Sequence, residues 1–259
     1  MTARIAGQLA LVTGASAGIG EAIARGLARD GANLVLWARR SDRLAQLAEE
    51  IASTTGVNVR TGVVDVRDHE AVVAEADRLT AATGAPDIVI NNAGLAAGMA
   101  LVQDADVDDW NRMIDTNVKG LLFVTRAFLP AMLARDSGHV VNIGSIAGRQ
   151  VYPRGSVYCA SKYAVQALTE GSNLDVLGTG VRVSGVNPGM VETEFSLVRF
   201  GGDAARARAV YEGTHPLRAE DVAEVVSFVL NAPPHINVAD VVVLSNSQGS
   251  IHHIHRDGG

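Results

Sequence analysis

The sequence predicts an α/β fold of the doubly wound type: one parallel sheet of about seven strands, helices on both faces, and a single domain over residues 1–259. Three observations predict it. Short apolar runs alternate with stretches of helical period, and the connections are short, which implies right-handed crossovers between parallel strands. A glycine-rich turn separates the first apolar run from the first helical stretch. Small and polar residues gather just after the apolar runs, at the C-terminal strand ends where open parallel sheets bind ligands. No internal repeat, low-complexity tract or second-domain boundary appears.

Composition agrees with one large core and narrows the function classes. Hydrophobic residues make up 47% and charged residues 19%, which excludes a disordered chain. The formal charge of -6, with no basic block, gives nucleic acid no foothold. The single cysteine, Cys159, has no partner for a disulfide or a metal site and suits a reducing compartment. Residues 1–7 run into a strand without the apolar region of a signal peptide, and no run approaches 18 consecutive apolar residues. A soluble cytoplasmic protein without a metal is expected.

The first strand is expected over residues 8–13, stopped by Gly14. The turn Gly14-Ala15-Ser16-Ala17-Gly18-Ile19-Gly20 follows, then a helical pattern over 21–30 closed by Gly31. Such glycines let the backbone bend tightly and approach a pyrophosphate, while the first N–H groups of a helix offer donors and a partial positive charge. A purely structural turn uses glycine as freely. The second strand, 33–37, leads into Arg39-Arg40. In a dinucleotide-binding sheet this position meets the adenosine ribose, where arginine suits a 2'-phosphate and an acid suits a free hydroxyl. NADP is therefore favoured over NAD; the alternative is an ordinary solvated helix start.

Residues 41–52 carry Leu44, Leu47, Ala48 and Ile51 on one helical face. The third strand, 57–64, closes in Asp65-Val66, where Asp65 either reaches an adenine amino group or caps the next helix, which extends to about residue 83. The fourth strand, 87–90, ends in Asn91-Asn92-Ala93-Gly94, whose small residues leave space for a flat ligand. Residues 106–134 form a long, strongly apolar helical stretch, suited to contact with another subunit or to burial in its own core. Asn117 lies inside it and needs a polar partner.

The fifth strand, 138–145, delivers Ser145; a helix over 156–177 carries Tyr158 and Lys162; the sixth strand, 181–186, is ended by Pro188-Gly189. Residues four apart share a helix face, so Lys162 is expected beside the Tyr158 ring. Bringing a phenol from about 10 to near neutrality needs about 4 kcal/mol of preference for phenolate, roughly what one cation ~4 Å away supplies at an effective dielectric of ~20. Residues 195–211 are less regular and, within 193–217, read as a mobile substrate lid. A helix over 219–230 and a strand over 238–244 complete the sheet. The tail carries His252, His253 and His255, more in keeping with a solvated or subunit-contacting segment than with a metal site.

Taken together, Thr13-Gly14-x-x-x-Gly18-x-Gly20, Asn91-Asn92-Ala93-Gly94, Asn117, Ser145, Tyr158-x-x-x-Lys162 and Pro188-Gly189 resemble the short-chain dehydrogenase/reductase family over nearly the whole chain. The resemblance implies a Rossmann-type sheet and a dimer or tetramer formed through the long helices. It implies that Tyr158 exchanges a proton with the substrate oxygen, that Ser145 positions that oxygen, and that Lys162 holds the nicotinamide ribose and lowers the tyrosine pKa. Asn117 is similar to the residue whose local helix distortion supports a water-linked proton path. The cofactor contacts it implies are Gly14, Ser16, Gly18, Ile19, Gly20, Arg39, Arg40, Asp65, Val66, Asn92, Ala93, Gly94, Tyr158, Lys162, Pro188, Gly189, Val191 and Thr193.

More narrowly, 92–99, 109–110, 113–117, 142–145, 193–200 and the ending Pro233-Pro234-His235-Ile236-Asn237-Val238 look like the NADP-dependent 3-hydroxy acid dehydrogenases, which oxidise serine or allo-threonine. The first five stretches also look like sulfoacetaldehyde reductases. Both groups handle a small anion-bearing substrate, for which Arg199 is the candidate guanidinium. Arg149 departs from the hydroxy acid pattern, as does Tyr163. An uncharged bulkier ketone as substrate, or a dinucleotide-binding sensor without catalysis, are the competing expectations; the complete Asn117, Ser145, Tyr158 and Lys162 set argues against the sensor.

Overall fold

A computed structural model describes residues 3–258. Its elements are β1 (Leu9–Thr13), α1 (Gly18–Arg29), β2 (Asn33–Ala38), α2 (Ser41–Thr55), β3 (Val59–Val63), α3 (His69–Thr83), β4 (Ile88–Asn91), α4 (Val107–Ile114), α5 (Leu121–Ala134), β5 (Gly138–Ile143), α6 (Ser156–Asp175), β6 (Val181–Pro188), α7 (Phe195–Arg199), α8 (Ala204–Ala209), α9 (Ala219–Leu230) and β7 (Asp240–Val243).

The seven strands form one parallel sheet in the order β3-β2-β1-β4-β5-β6-β7. Central strands have apolar neighbours on both faces, which is why they read as unbroken apolar runs rather than alternating ones. In β1, Ala10 and Val12 face the core under α1, α2 and α9, while Leu11 faces the core under α3 and α5. The direction in which successive strands are added reverses between β1 and β4, a parallel pair whose register sets Ala10 opposite Ile88. The C-terminal end of that pair is the crevice in which a doubly wound sheet binds its ligand.

The long helix expected over 106–134 is interrupted. Asp106 caps α4 by accepting from the Asp108 N–H, and residues Asp115–Gly120 form a π-helical turn before α5 resumes. The cause is visible in Asn117, whose amide leaves the helix to bond the backbone of Leu95 in both directions, accepting from its N–H and donating to its C=O, both at 2.8 Å. An extra residue in the turn lets that side chain reach outward. Val124, Phe128 and Met132 are buried against the sheet, while Leu122 and Leu133 stay exposed. By length and composition 107–134 matches a membrane span, but those buried residues make it a core helix.

The irregular stretch expected after residue 195 is corrected to two short helices, α7 and α8. Its two ends are joined: Val191 bridges Leu217, the Glu192 N–H donates to Leu217 O, and the Leu217 N–H donates to Met190 O, both at 2.9 Å. The tail then lies on this segment. Asp257 N–H donates to Gly213 O, Arg256 reaches the carbonyls of Val210 and Glu212, and Ile251 N–H donates to Gln150 Oε1.

Candidate active site

A cleft of about 360 Å³ opens over the C-terminal strand ends and carries nearly all the residues singled out in the sequence. Its floor is locked at the switch point. Thr13 Oγ1 accepts from the N–H groups of Asn92 and Ala93 at 3.0 Å, and Asn92 Nδ2 donates to Thr13 O at 2.9 Å. Gly14 has φ +66°, and a Cβ there would lie 2.9 Å from Ala93 Cα, so the turn tolerates no side chain. Gly20, expected on the wall, packs beneath it against Gly14 O and Asn92 instead.

The residues at one end fit a phosphorylated dinucleotide. Helix α1 begins at Gly18 behind Ala17, which supplies no capping side chain, so its first N–H groups face the cleft as donors for an anion. Arg39 and Arg40 lie on the wall beside Asp65 and Val66. Arg40 donates from Nε to Ser16 Oγ at 3.0 Å and from Nη1 to Glu194 Oε2 at 3.0 Å; Arg43 donates to the same carboxylate at 2.8 Å. These hydrogen bonds to Arg43 and Arg40 hold the Glu194 carboxyl below the usual carboxylate range. Asp65 is gripped by the Arg67 guanidinium, which lowers its pKa, and the cap of α3 falls to Asp68.

The other end gathers Ser145, Tyr158 and Lys162. Lys162 Nζ donates to Ile143 O at 2.9 Å, and burial lowers its pKa to about 8. Tyr158 is buried, and burial raises its pKa; the Arg199 guanidinium and the Ser145 hydroxyl pull the other way. Burial is the largest influence on the phenol here, and the cation that opposes it is Arg199. The ammonium is drawn to a strand-end carbonyl, and the guanidinium of Arg199 takes the place over the Tyr158 ring, 4.9 Å from its centroid. Arg199 Nη2 also donates to Tyr152 Oη at 2.7 Å, and Phe195 meets the Tyr158 ring edge-on at 5.7 Å.

Two expected residues act from outside the main cleft. Asn117 is buried behind the wall, donating to Ser161 Oγ as well as holding Leu95. Arg199 lines a smaller adjoining pocket with Tyr152, Trp110 and Met113, and the two pockets share Tyr158. Gly94 separates Asn117 from Lys162: a Cβ on it would lie 3.2 Å from Asn117 Oδ1 and 3.6 Å from Lys162 Nζ. Pro188, Gly189, Val191 and Thr193 line the cleft. Arg149 does not; it pairs with Asp240 on β7. Tyr163 points outward from α6. His255 turns to Asp257 at 3.5 Å, and among the described residues no three His, Cys, Asp or Glu side chains gather as a metal set.

Sequence reasoning missed Glu194, Phe195, Val198, Arg112 and Thr116 on the cleft wall, along with Arg43 and Tyr152 beside it. Arg43 was within reach, since it follows Arg40 by three at the start of α2 and shares its face. Nothing local connects Glu194 to an arginine pair more than 150 positions earlier.

Residues 8–199 match the family model of the short chain dehydrogenases. The chain is 47% identical over 241 residues to sulfoacetaldehyde reductase 2 of Chromohalobacter salexigens, covering 93% of this chain and 95% of that protein. It is 40% identical over 254 residues to the NADP-dependent 3-hydroxy acid dehydrogenase of Schizosaccharomyces pombe, covering 98% of each. Among solved structures, the closed form of a serine dehydrogenase complexed with NADP+ superposes with a TM-score of 0.89 at 41% identity, over 96% of this chain and 99% of that one. With the family pattern matched from β1 to α7 and relatives aligned nearly end to end, the chain belongs to the short-chain dehydrogenase family.

Proposed function

We propose that this protein is an NADP(H)-dependent oxidoreductase acting on a small 3-hydroxy acid, such as serine, allo-threonine or 3-hydroxypropionate, or on the matching aldehyde. The observation that carries the reading is Arg199 over Tyr158: a guanidinium against the ring of the proton-exchanging tyrosine is what an anion-bearing substrate requires. Arg199 Nε has no hydrogen-bond partner among the described residues, so a donor remains for a carboxylate. The cofactor, when bound, supplies or accepts the hydride. Tyr158 exchanges the proton with the substrate oxygen, Ser145 positions that oxygen, Lys162 holds the nicotinamide ribose, and Asn117 anchors the loop at Leu95 that forms the cleft wall.

Arg39 and Arg40 take the 2'-phosphate, the α1 N-terminus takes the pyrophosphate, and residues 193–217 act as a lid hinged where Val191 meets Leu217. The exposed Leu122 and Leu133 on α5 support a dimer or tetramer, and the reducing-compartment reading of Cys159 supports a cytoplasmic site. A second reading, sulfoacetaldehyde reduction, is favoured by the 47% identity to a protein of that name and uses the same guanidinium for a sulfonate.

The test is NADP(H)-linked absorbance against serine, allo-threonine, 3-hydroxypropionate, sulfoacetaldehyde and uncharged ketones, with Tyr158→Phe in parallel. Activity confined to hydroxy acids is expected, with Tyr158→Phe binding NADPH but losing turnover by roughly a hundredfold or more. Preference for sulfoacetaldehyde moves the protein to the second reading, and preference for uncharged ketones removes the anion from both.

A further inference from the structure

The adenosine end of the cleft contains an acid where the proposed reading needs only cations. Glu194 sits on the wall with Arg39 and Arg40, and its carboxylate already occupies Arg40 Nη1 at 3.0 Å and Arg43 Nη1 at 2.8 Å. Arg40 also donates to Ser16, from Nε to the hydroxyl and from Nη2 to the carbonyl, so each of its three nitrogens already holds a partner. Arg39 is the less committed of the three, with Asp65 4.0 Å away. A phosphate monoester presents about two negative charges and three acceptor oxygens, and guanidinium forks bind it best with two parallel donors. Three of the five N–H groups of Arg40 are engaged by Ser16 and Glu194, and a carboxylate held against the same guanidinium would repel an incoming phosphate.

We propose that Glu194 is an intramolecular competitor for the 2'-phosphate of NADP(H), a specificity-determining residue whose ion pairs with Arg40 and Arg43 must open for the phosphate to bind and re-form as it leaves. The inference rests on the proposed assignment of Arg39 and Arg40 to the 2'-phosphate. Its position gives the exchange a reach beyond the adenosine end. Glu194 follows Thr193, whose side chain lies against Gly18, and it immediately precedes α7, which carries Phe195 onto the Tyr158 ring and Arg199 over it. Release of Glu194 therefore frees the residue that caps the helix holding the substrate-facing guanidinium. A cofactor without the 2'-phosphate has nothing to displace the carboxylate with, and leaves α7 tied to α2.

Equilibrium binding of NADPH and NADH, followed by cofactor fluorescence without substrate, tests this in the wild type, Glu194→Gln, Arg40→Ala and the double variant. Both ion pairs are half exposed and individually weak, so Glu194→Gln is expected to tighten NADPH by about three- to tenfold and slow its release, with NADH changed by less than about twofold. The gain should shrink in the Arg40→Ala background, because the competitor then has one cation fewer to occupy. Weaker or unchanged NADPH binding in Glu194→Gln, or an equal effect on both cofactors, overturns the proposal and makes Glu194 an organiser of the arginines or a bystander. Arg40→Ala separates this from failure of the underlying assignment: if it weakens NADPH and NADH alike, the 2'-phosphate site itself is misplaced.

Discussion

Arg199 lies with its guanidinium carbon 4.9 Å from the centroid of the Tyr158 ring, and the same group donates to the hydroxyl of Tyr152. The arrangement gives one cation two tasks. It opposes the burial that raises the Tyr158 pKa, and its Nε, buried with no hydrogen-bond partner among the described residues, is the donor proposed above for a substrate anion. Its carbonyl meanwhile accepts from the Gly98 N–H at 3.1 Å, tying α7 to the loop after β4.

Arg199→Ala separates the two tasks. Loss of the anion contact alone is expected to raise KM for a hydroxy acid by roughly ten- to a hundredfold, the worth of a charged hydrogen bond of about 1.5–3 kcal/mol. Loss of the cation over the ring should also move the acidic limb of the pH–rate profile for hydroxy acid oxidation upward, because phenolate, the base in that direction, then loses a stabilising charge. Arg199→Lys should recover the pH profile better than the KM, since an ammonium lacks the planar fork. An unchanged profile in Arg199→Ala would remove the ring contact from the account.

Lys162 is held in its folded environment at a cost. Burial lowers its pKa to about 8, whereas the unfolded chain keeps a lysine near the ordinary value of about 10.4. Between these values the unfolded state binds more protons, so stability rises with pH through that window and the penalty is fully present below it. Lys162→Met should abolish turnover yet raise stability by about 1–2 kcal/mol at neutral pH, the relief of burial less the lost bond to Ile143 O. Its stability should also be flat from about pH 8 to 10. Denaturant melts at several pH values decide it; a destabilised variant with the wild-type pH dependence would show that the ammonium is not penalised.

His139 on β5 is buried against Ser184 at 2.8 Å, and burial lowers its pKa to about 3. An unfolded histidine titrates near 6.5, so the unfolded state takes up the proton first and stability falls as pH drops through that value, by roughly 3 kcal/mol at about pH 4. His139→Gln should lower stability at neutral pH by about 1 kcal/mol or more through repacking. It should also remove much of the acid sensitivity. Parallel acid-unfolding curves with the same midpoint slope would place that sensitivity elsewhere.

The sheet was legible because its central strands are buried on both faces and so read as apolar runs, and because Gly14 and the Asn92-Ala93-Gly94 stretch mark the two strand ends at the switch point. The π-helical turn left no mark in the helical pattern of residues 115–120 and was implied only by the family resemblance at Asn117; its cause is the tertiary bond of Asn117 to Leu95. The tyrosine and lysine were found by spacing on α6, but spacing gives a shared face and not a partner. The atom that holds Lys162 is a backbone carbonyl on β5, and the cation over Tyr158 comes from α7. Glu194 shows the same limit at the adenosine end, where a pairing across more than 150 positions leaves no local trace.

The short bridge between Val191 and Leu217 fixes the base of everything between them. From the sheet's side, whatever lies in that interval begins and ends at the same two points. Closing a longer excursion costs little, about 0.6 kcal/mol for each doubling of length. Residues there can be exchanged, lengthened or shortened while the strand ends that carry Ser145 and the helix that carries Tyr158 and Lys162 keep their positions. Under the lid role proposed for this interval, a graft between those two anchors that keeps Glu194, Phe195 and Arg199, which touch the arginines and the Tyr158 ring, is the natural unit for changing substrate range.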